Sequence, residues 1–301
     1  MTAIPGDLGP SLYHYTDVNG LHGIIGSSAL RATEILFMND ASEKLFGDKQ
    51  IDRAFDDCSR EIAVRIQNGE SELARVGDAM KTMRSTLEMT RDRPDRYFPM
   101  TQQYFVACLS ESRDQLSQWR AYAHEGYCIE FDTAALIEYL TTPPDGSSNN
   151  KVSTQIRRVY YGDAGLDELR GLIMQTALEC AADTASTHGS STAAHSLTPA
   201  LKIATQGVFH KHQAFAEEAE VRILIPDSPS SHTPGRFGMV PRLNIPIDKN
   251  VIKSVMVGPN TYADLQEVSL RSYSLSNRWW VESVGSTGEF AVQRSDIPYR
   301  P

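Results

Sequence analysis

Hydrophobic and polar residues alternate most clearly between Glu218 and Ile225. Successive side chains of a β-strand point to opposite faces, so the alternation predicts a strand with Glu218, Glu220 and Arg222 on one face. The other face is apolar and consists of Ala219, Val221, Ile223 and Ile225. A charged face of this kind is most often the solvated side of an edge strand. The apolar run 223–226 instead favours a strand inside a sheet, where a charged row needs a cleft or partners and becomes a candidate site.

The same pattern predicts the other elements of the chain. Strands are predicted over residues 11–16, 29–36, 104–109, 126–132, 156–160, 240–247, 251–257, 279–284 and 291–294. Helices are predicted over residues 17–25, 44–89, 114–122, 133–140, 166–181 and 199–216, and from about residue 262 onward. Because the strands come in runs and do not alternate strictly with helices, we expect an α+β fold rather than a doubly wound parallel sheet.

The chain has no clean linker, so we predict one domain over residues 1–301 with a helical insertion at about 44–90. Residues 183–196 are rich in Ser, Thr, Ala and His, and we expect this segment to be mobile. Residues 226–238 are rich in Ser, Pro and Gly and are predicted to form a loop.

Composition narrows the class of protein. The chain has 41% hydrophobic and 22% charged residues, as globular proteins do, and no apolar run of the length that spans a membrane. The N-terminus lacks the basic and apolar regions of a signal peptide, and four scattered cysteines suit reduced thiols, so we expect a cytoplasmic protein without membrane partners. A net charge of −9 argues against broad binding to nucleic-acid backbones, although a local basic groove remains open.

Several common sequence signatures are absent. The chain has no GxxxxGK[ST] phosphate loop, no GxGxxG that opens a helix, no GxSxG elbow and no HExxH. His210 and His212 flank Lys211, but on the predicted helix they would lie about 200° apart and could not bind one metal ion together. We therefore expect no metal cofactor.

Three further groups of ionisable and aromatic residues lie at ends of predicted elements. They are Tyr13-His14-Tyr15-Thr16, Ser110 with Trp119 and Tyr122, and Asn39-Asp40 with Glu43. His14 and Thr16 would share one strand face, and Trp119 and Tyr122 would meet on one helix face at a spacing of three residues. Each group also has a purely structural explanation. His14 can be an ordinary strand histidine, Trp119 and Tyr122 can pack in the core, and Asn39 or Asp40 can cap a helix.

In their order along the chain these segments resemble the bacterial domain-of-unknown-function family 2971 (DUF2971). The resembling segments are Leu12–Thr16, Phe37–Glu43, Leu109–Glu111 with Asp114, Trp119 and Tyr122, Glu218–Arg222, Ile252–Pro259 and Ser295–Arg300. The resemblance covers nearly the whole chain. Because that family is grouped with ADP-ribosyltransferase-like folds, it implies a split mixed or antiparallel sheet with helical insertions, built around a nicotinamide dinucleotide.

The resemblance also implies site residues. ADP-ribosyltransferases have three motifs, which His14, Ser110 and the Glu218-Ala219-Glu220 triplet match in turn. Glu220 would be the carboxylate that stabilises an oxocarbenium-like transition state, and Glu218 would orient or deprotonate the acceptor. The residues implied to bind NAD are His14, Tyr15, Thr16, Ser110, Trp119, Tyr122 and Arg222. Asn39, Asp40 and Glu43 belong to the family pattern, and no role carries over with them.

The implied activity is NAD-dependent ADP-ribosyl transfer to a protein or a nucleic acid, in the role of a toxin or an antiphage effector that an antitoxin or inhibitory partner would restrain. An NAD glycohydrolase would use the same site with water as acceptor. A non-catalytic module that binds a nucleotide or a partner is a different reading, favoured if internal salt bridges occupy the row Glu218, Glu220 and Arg222. A metal-dependent hydrolase built on Asp40, Glu43 and the paired glutamates would act without NAD.

Overall fold

A computed structural model describes residues 8–38, 41–92, 103–142, 154–186, 192–236, 238–276 and 291–298. The strands of these ranges are β1 Ser11–Thr16, β2 Ala29–Glu34, β3 Gln103–Ser110, β4 Tyr127–Asp132, β5 Gln155–Arg158, β6 Tyr160–Tyr161, β7 His210–Lys211, β8 Glu220–Asp227, β9 Ser231–Gly235, β10 Gly238–Pro246, β11 Ile252–Val257 and β12 Val292–Arg294. The α-helices are α1 Val18–Ser27, α2 Ala41–Gln67, α3 Ala74–Asp92, α4 Leu116–Gln118, α5 Thr133–Thr141, α6 Leu166–Ser186, α7 Thr192–Ala204 and α8 Ala263–Ser276.

The chain divides into two compact units. The sheet unit comprises Met1–Met38, Gln103–Arg158 and Ala216–Pro301, and the helical unit comprises Asn39–Gln102 and Val159–Phe215. The strands of the sheet unit pair antiparallel except for β11 with β12, so the prediction of an α+β fold with a mostly antiparallel sheet is confirmed. No helix in the described part of the chain is long and apolar enough to cross a membrane.

Strand β3 organises the sheet unit. One edge of β3 pairs with β8 along its whole length, from Gln103 to Ser110. The other edge is shared, because β1 pairs with it at Tyr13 opposite Ser110 and β2 pairs with it at Thr33 opposite Val106. Strands β1 and β2 therefore pair with the same edge of β3 at different positions along it. The sheet is split between these two strands.

One face of this sheet carries the main hydrophobic core. Val221, Ile223 and Ile225 of β8 lie opposite Leu109, Ala107 and Phe105 of β3, as the register requires. Helix α1 covers them with Leu21, Ile24 and Ile25. Its N-cap is Asp17, the first residue of the predicted helix 17–25, whose carboxylate accepts a 2.7 Å hydrogen bond from the Gly20 N–H. Burial of each large apolar side chain stabilises the fold by about 1.5–3 kcal/mol.

Four long helices make up most of the helical unit in its described ranges. Apolar residues of α2, α3, α6 and α7 recur at helical spacing and build one core, which includes Ile51, Phe55, Ile62, Met80, Met83, Leu87, Ile173 and Ile203. The predicted continuous helix is interrupted between α2 and α3, where Gly69 has a φ of +106°. A left-handed glycine ends helices readily, so the dipeptide Asn68-Gly69 was the available signal for this break.

Two predictions on the second half of the chain need correction. The predicted helix over 199–216 ends at Ala204 and is followed by 3₁₀ turns and by β7, which pairs in parallel with β6. The predicted loop over 226–238 contains the edge strand β9, which tolerates Pro234 at the margin of the sheet. The strand predicted over 279–284 lies outside the described residues. Within the segment 183–196, residues 183–186 and 192–196 are helical, and residues 187–191 lie outside the described residues.

Candidate active site

Strand β8 begins at Glu220 and not at Glu218. The prediction that Glu218 shares a strand face with Glu220 and Arg222 is therefore wrong. Residues Gln213–Glu218 form a 3₁₀ turn, and Ala219 has a φ of +42°. A left-handed conformation is unfavourable for alanine and breaks the alternation at that point. The Ala219 carbonyl accepts a 2.9 Å hydrogen bond from the Glu111 N–H, which helps to hold this strained corner. Strained backbone of this kind clusters at functional sites.

Glu220 and Arg222 share a strand face, as predicted, and they bind each other. Arg222 donates from Nε to Glu220 Oε1 at 2.7 Å and from Nη2 to Oε2 at 2.9 Å. Their relative exposures are only 6% and 2%, so this charged face is not the solvated side of an edge strand. The two-point geometry is the strongest form of arginine–carboxylate pairing and offsets the cost of burying both charges.

Ser110 lies directly opposite Glu220 across the β3–β8 pair. Its hydroxyl donates a 2.7 Å hydrogen bond to the Glu218 carbonyl and accepts one from the Ser112 N–H at 3.0 Å. Ser110 therefore ties the end of β3 to the turn that carries Glu218. Tyr13 lies opposite Ser110 in β1, so it shares the face of Ser110 and Glu220. The sequence placed Tyr13 in a candidate group but not among the residues implied to bind NAD, because only the strand register identifies its face.

Tyr122 lies on a π-helical turn, Trp119–Ala123. Its side chain is 47% exposed, and its hydroxyl lies 3.4 Å from Glu218 Oε1. Trp119 lies on the same turn but is only 3% exposed, so the two aromatic residues that were predicted to share a helix face differ in their access to solvent. The turn ends in two consecutive left-handed residues, His124 and Glu125. Isolated π-turns and strained residues are both enriched at functional sites.

Trp119 and Tyr15 are packing residues. Their rings meet edge to face at 4.9 Å, and both are at most 6% exposed. The Tyr15 hydroxyl donates to the Ser112 carbonyl at 2.7 Å, and Trp119 Nε1 donates to Asp114 Oδ1 at 2.7 Å. Burial also raises the pKa of Tyr15. This burial contradicts the expectation that Trp119 offers a ring face to NAD and removes Tyr15 from the accessible part of the site.

His14 lies on the opposite face from Ser110 and Glu220, because its neighbour Tyr13 is the residue that pairs with Ser110. Its Nδ1 lies 3.1 Å from the Cys108 carbonyl, within the split between β1 and β2. A carbonyl can only accept, so Nδ1 carries the proton. Burial lowers the pKa of His14, which keeps the ring neutral at pH 7. The structure therefore does not bring His14 together with the glutamates on one face.

Thr16 has a structural position at the end of β1. It is 8% exposed, and its Oγ1 would lie 1.9 Å from a Cβ atom at Gly20. Gly20 thus allows the first turn of α1 to approach the end of β1 closely. The expected contact of Thr16 with NAD has no support in this packing.

Glu43 belongs to a separate ion pair in the helical unit. Its carboxylate lies 2.7 Å from Lys211 Nζ, whose residue is 1% exposed, and the ammonium group also lies 5.0 Å from the Phe215 ring centroid. Lys211 was missed because the sequence around it reads as a helix. Asn39 and Asp40 lie outside the described residues. Within the described ranges, no group of three or more His, Cys, Asp or Glu side chains is arranged to hold a metal ion.

Several of the resembling segments meet around Asp114, the first residue of the predicted helix 114–122. Its carboxylate accepts hydrogen bonds from Trp119 Nε1, from the Ser295 hydroxyl at 2.7 Å and from the Asp296 N–H at 2.8 Å. A Cβ atom at Gly258 would lie 2.8 Å from the Trp119 ring, so only glycine fits there. Asp114 thus connects the region after β3 to the C-terminal segment and supports the π-turn that carries Tyr122.

The comparison with protein families gives one match. The model of a family described as "Protein of unknown function (DUF2971)" matches residues 118–223, which include Tyr122, Glu218, Glu220 and Arg222. The match supports the resemblance to that family over this stretch. No curated protein and no solved structure matches the chain.

Proposed function

We propose that the protein is an NAD-dependent ADP-ribosyltransferase with an ADP-ribosyltransferase-like fold, which modifies a protein or a nucleic acid. The observation that carries this proposal is the position of Glu220, at the start of a central strand, opposite Ser110 and beside the strained turn that brings Glu218 to Tyr122. The shared edge of β3 supports the split sheet that the resemblance implies.

In this proposal Glu220 acts on the ribose. Cleavage of the bond between nicotinamide and C1′ sends the bonding electrons to nicotinamide and leaves positive charge on the ribose. A fixed carboxylate stabilises that charge more than it stabilises the ground state. Arg222 orients the Glu220 carboxylate through two hydrogen bonds, so little reorganisation is needed when the charge develops.

Glu218 suits the second role, which concerns the acceptor. It is only partly buried, whereas Glu220 is 6% exposed, and it is the carboxylate that Tyr122 approaches. A carboxylate at the accessible side can orient an acceptor hydroxyl or amine and take up its proton. With water as acceptor the same arrangement is an NAD glycohydrolase. The proposed cellular role is that of a toxin or an antiphage effector, with an antitoxin or inhibitory partner.

The second candidate is a non-catalytic module that binds a nucleotide or a partner. The Glu220–Arg222 ion pair favours it, because a carboxylate bound at both oxygens by an internal arginine has less capacity for a substrate. In that case the Glu220–Arg222 pair helps to specify a single fold, as buried ion pairs do in some proteins.

The release of nicotinamide from NAD tests the proposal. We expect wild type to release it and Glu220→Gln to be slower by about 10²–10³-fold, the usual loss when one electrostatic stabiliser is removed. Glu217→Gln is the matched control, because Glu217 is exposed on the same turn and should keep wild-type activity. Labelled NAD with a cell lysate then separates transfer from hydrolysis. If wild type binds NAD but releases no nicotinamide with or without lysate, the binding module is correct.

A further inference from the structure

Two arginines lie side by side on the outer face of strands β2, β10 and β9. Arg242 is opposite Thr33 in β2 and opposite Ser231 in β9, whereas Arg31 is opposite Asn244. These register positions place Arg31 and Arg242 as diagonal neighbours on one face, with their Cβ atoms at most about 7–8 Å apart. The other face of these strands is part of the hydrophobic core and carries Leu30, Ala32, Leu243 and Ile245.

Neutral hydroxyl groups hold the Arg242 guanidinium. Its Nε donates to Thr233 Oγ1 at 2.9 Å, and its Nη1 donates to Thr33 Oγ1. Arginine has five N–H donors, so these bonds fix the plane of the guanidinium while leaving donors available and the charge in place. Arg242 is half-buried and Arg31 is exposed.

Among the residues that the structure describes, neither positive charge has an acidic neighbour on this face. Among the ion pairs of the described residues, none includes Arg31 or Arg242, and the one acidic residue within these three strands, Glu34, faces the core side. The pKa of Arg242 is lowered, by burial first and by the positive charge of Arg31 second. A half-buried charge is normally paired, so Arg242, which has the positive charge of Arg31 beside it and no counter-charge among the described residues, calls for an external anion.

We propose that Arg31 and Arg242, with the Asn244 side chain beside them, form a binding site for a phosphate group. A dianionic phosphate matches the two positive charges. Two of its oxygen atoms can accept parallel hydrogen bonds from two N–H groups of one guanidinium. The fixed Arg242 would form the base of the site, and the exposed Arg31 would close on the ligand. This site goes beyond the proposed activity and stands whether or not the protein cleaves NAD.

The simplest alternative is a pair of solvated surface arginines. That alternative explains Arg31 alone, but it does not explain why the half-buried Arg242 is held by two threonine hydroxyls and by no carboxylate. The protein has a net charge of −9, so anions are repelled on average, and binding at this face would need a local site.

Inorganic pyrophosphate is the first probe, and its affinity is measured from the rise of the thermal unfolding midpoint at constant ionic strength, with potassium chloride as compensating salt. We expect wild type to bind and Arg31→Gln to bind at least about tenfold more weakly, the loss of one charge-assisted contact. Arg31 is exposed and makes no hydrogen bond among the described residues, so this variant should fold; Arg242→Gln is the second variant. Arg271→Gln is the matched control for net charge, since Arg271 is exposed and paired with Glu267 at 2.8 Å.

The proposal is overturned if wild type shows no specific stabilisation by pyrophosphate, if Arg31→Gln binds as wild type does, or if Arg271→Gln loses binding to the same extent. AMP is the second probe. If AMP binds more tightly than pyrophosphate, and Arg31→Gln loses this binding too, the site recognises the phosphate of a nucleotide. If pyrophosphate binds more tightly than AMP, the site recognises a free inorganic anion.

Discussion

The sheet unit buries two glutamates in opposite ways. Glu220 is 6% exposed and is bound at both carboxylate oxygens by Arg222. Glu34 is 3% exposed, lies on the core side of β2 and accepts a 2.8 Å hydrogen bond from the Leu36 N–H, but no cation pairs with it among the described residues. Burial raises the pKa of Glu34 to about 7. Similar burial therefore gives a carboxylate fixed by an ion pair in one place and a group that is about half protonated near pH 7 in the other.

The difference shows what a buried partner contributes. Burial alone disfavours the charged form of a carboxyl group, whereas an adjacent guanidinium restores it. Glu220 is thus suited to stabilise positive charge, and Glu34 is suited to a structural role that does not need ionisation. In this fold a candidate catalytic carboxylate is therefore identified by the cation that pairs with it, because burial is similar for Glu220 and Glu34.

The largest expected effect comes from removing the partner of Glu220. We expect Arg222→Met to lower the free energy of unfolding by about 3–5 kcal/mol, because it removes the guanidinium that binds both oxygens of a buried carboxylate. Urea denaturation measures this change. The double variant Glu220→Gln with Arg222→Met removes both charges and should lose much less. Equal losses in the single and double variants would show that the ion pair is not what holds Glu220 in place.

The next effect is the pH dependence that Glu34 causes. Its pKa rises from an ordinary 4.5 in the unfolded chain to about 7 in the folded protein. Between these values the unfolded state loses the proton first, so stability falls as pH rises and then levels off above about 7. We expect Glu34→Gln to be more stable than wild type by roughly 3 kcal/mol at pH 8 and similar to it at pH 4. Denaturation at both pH values checks this, with the exposed Glu138→Gln as control.

A smaller effect is expected at Tyr122. Its hydroxyl lies 3.4 Å from Glu218 Oε1 and the residue is half exposed, so Tyr122→Phe should leave the free energy of unfolding unchanged. If the proposed activity is correct, kcat/KM for NAD should fall about five- to tenfold, the value of one hydrogen bond of about 1 kcal/mol. Tyr139→Phe removes a comparable exposed hydroxyl elsewhere in the sheet unit. A loss of stability in Tyr122→Phe, with kcat/KM unchanged, would give Tyr122 a structural role only.

The sequence predicted those parts of the fold that local patterns determine. Strand β1 and the capping of α1 by Asp17 follow from short-range chemistry, and the shared face of Glu220 and Arg222 follows from alternation. The left-handed Ala219 was not predictable, because a hydrogen bond from the distant Glu111 N–H supports it.

The candidate site was predicted in its residues more than in its arrangement. Ser110 and Glu220 are opposite each other only because β3 pairs with β8, a contact between residues far apart in sequence. The same non-local register puts Tyr13, and not His14, on their face. Trp119 was assigned to the site by the resemblance and paired with Tyr122 on an ideal helix, whereas the π-turn on which it is buried depends on packing against Tyr15 and Gly258.

The most direct test of the account is a crystal structure of the protein with an NAD analogue that resists cleavage. The account predicts the nicotinamide ribose on the face shared by Tyr13, Ser110 and Glu220, with C1′ within about 4 Å of a Glu220 oxygen, close to the distance of a reacting pair. An analogue bound on the opposite face beside His14, or bound with no contact to Glu220, would contradict it.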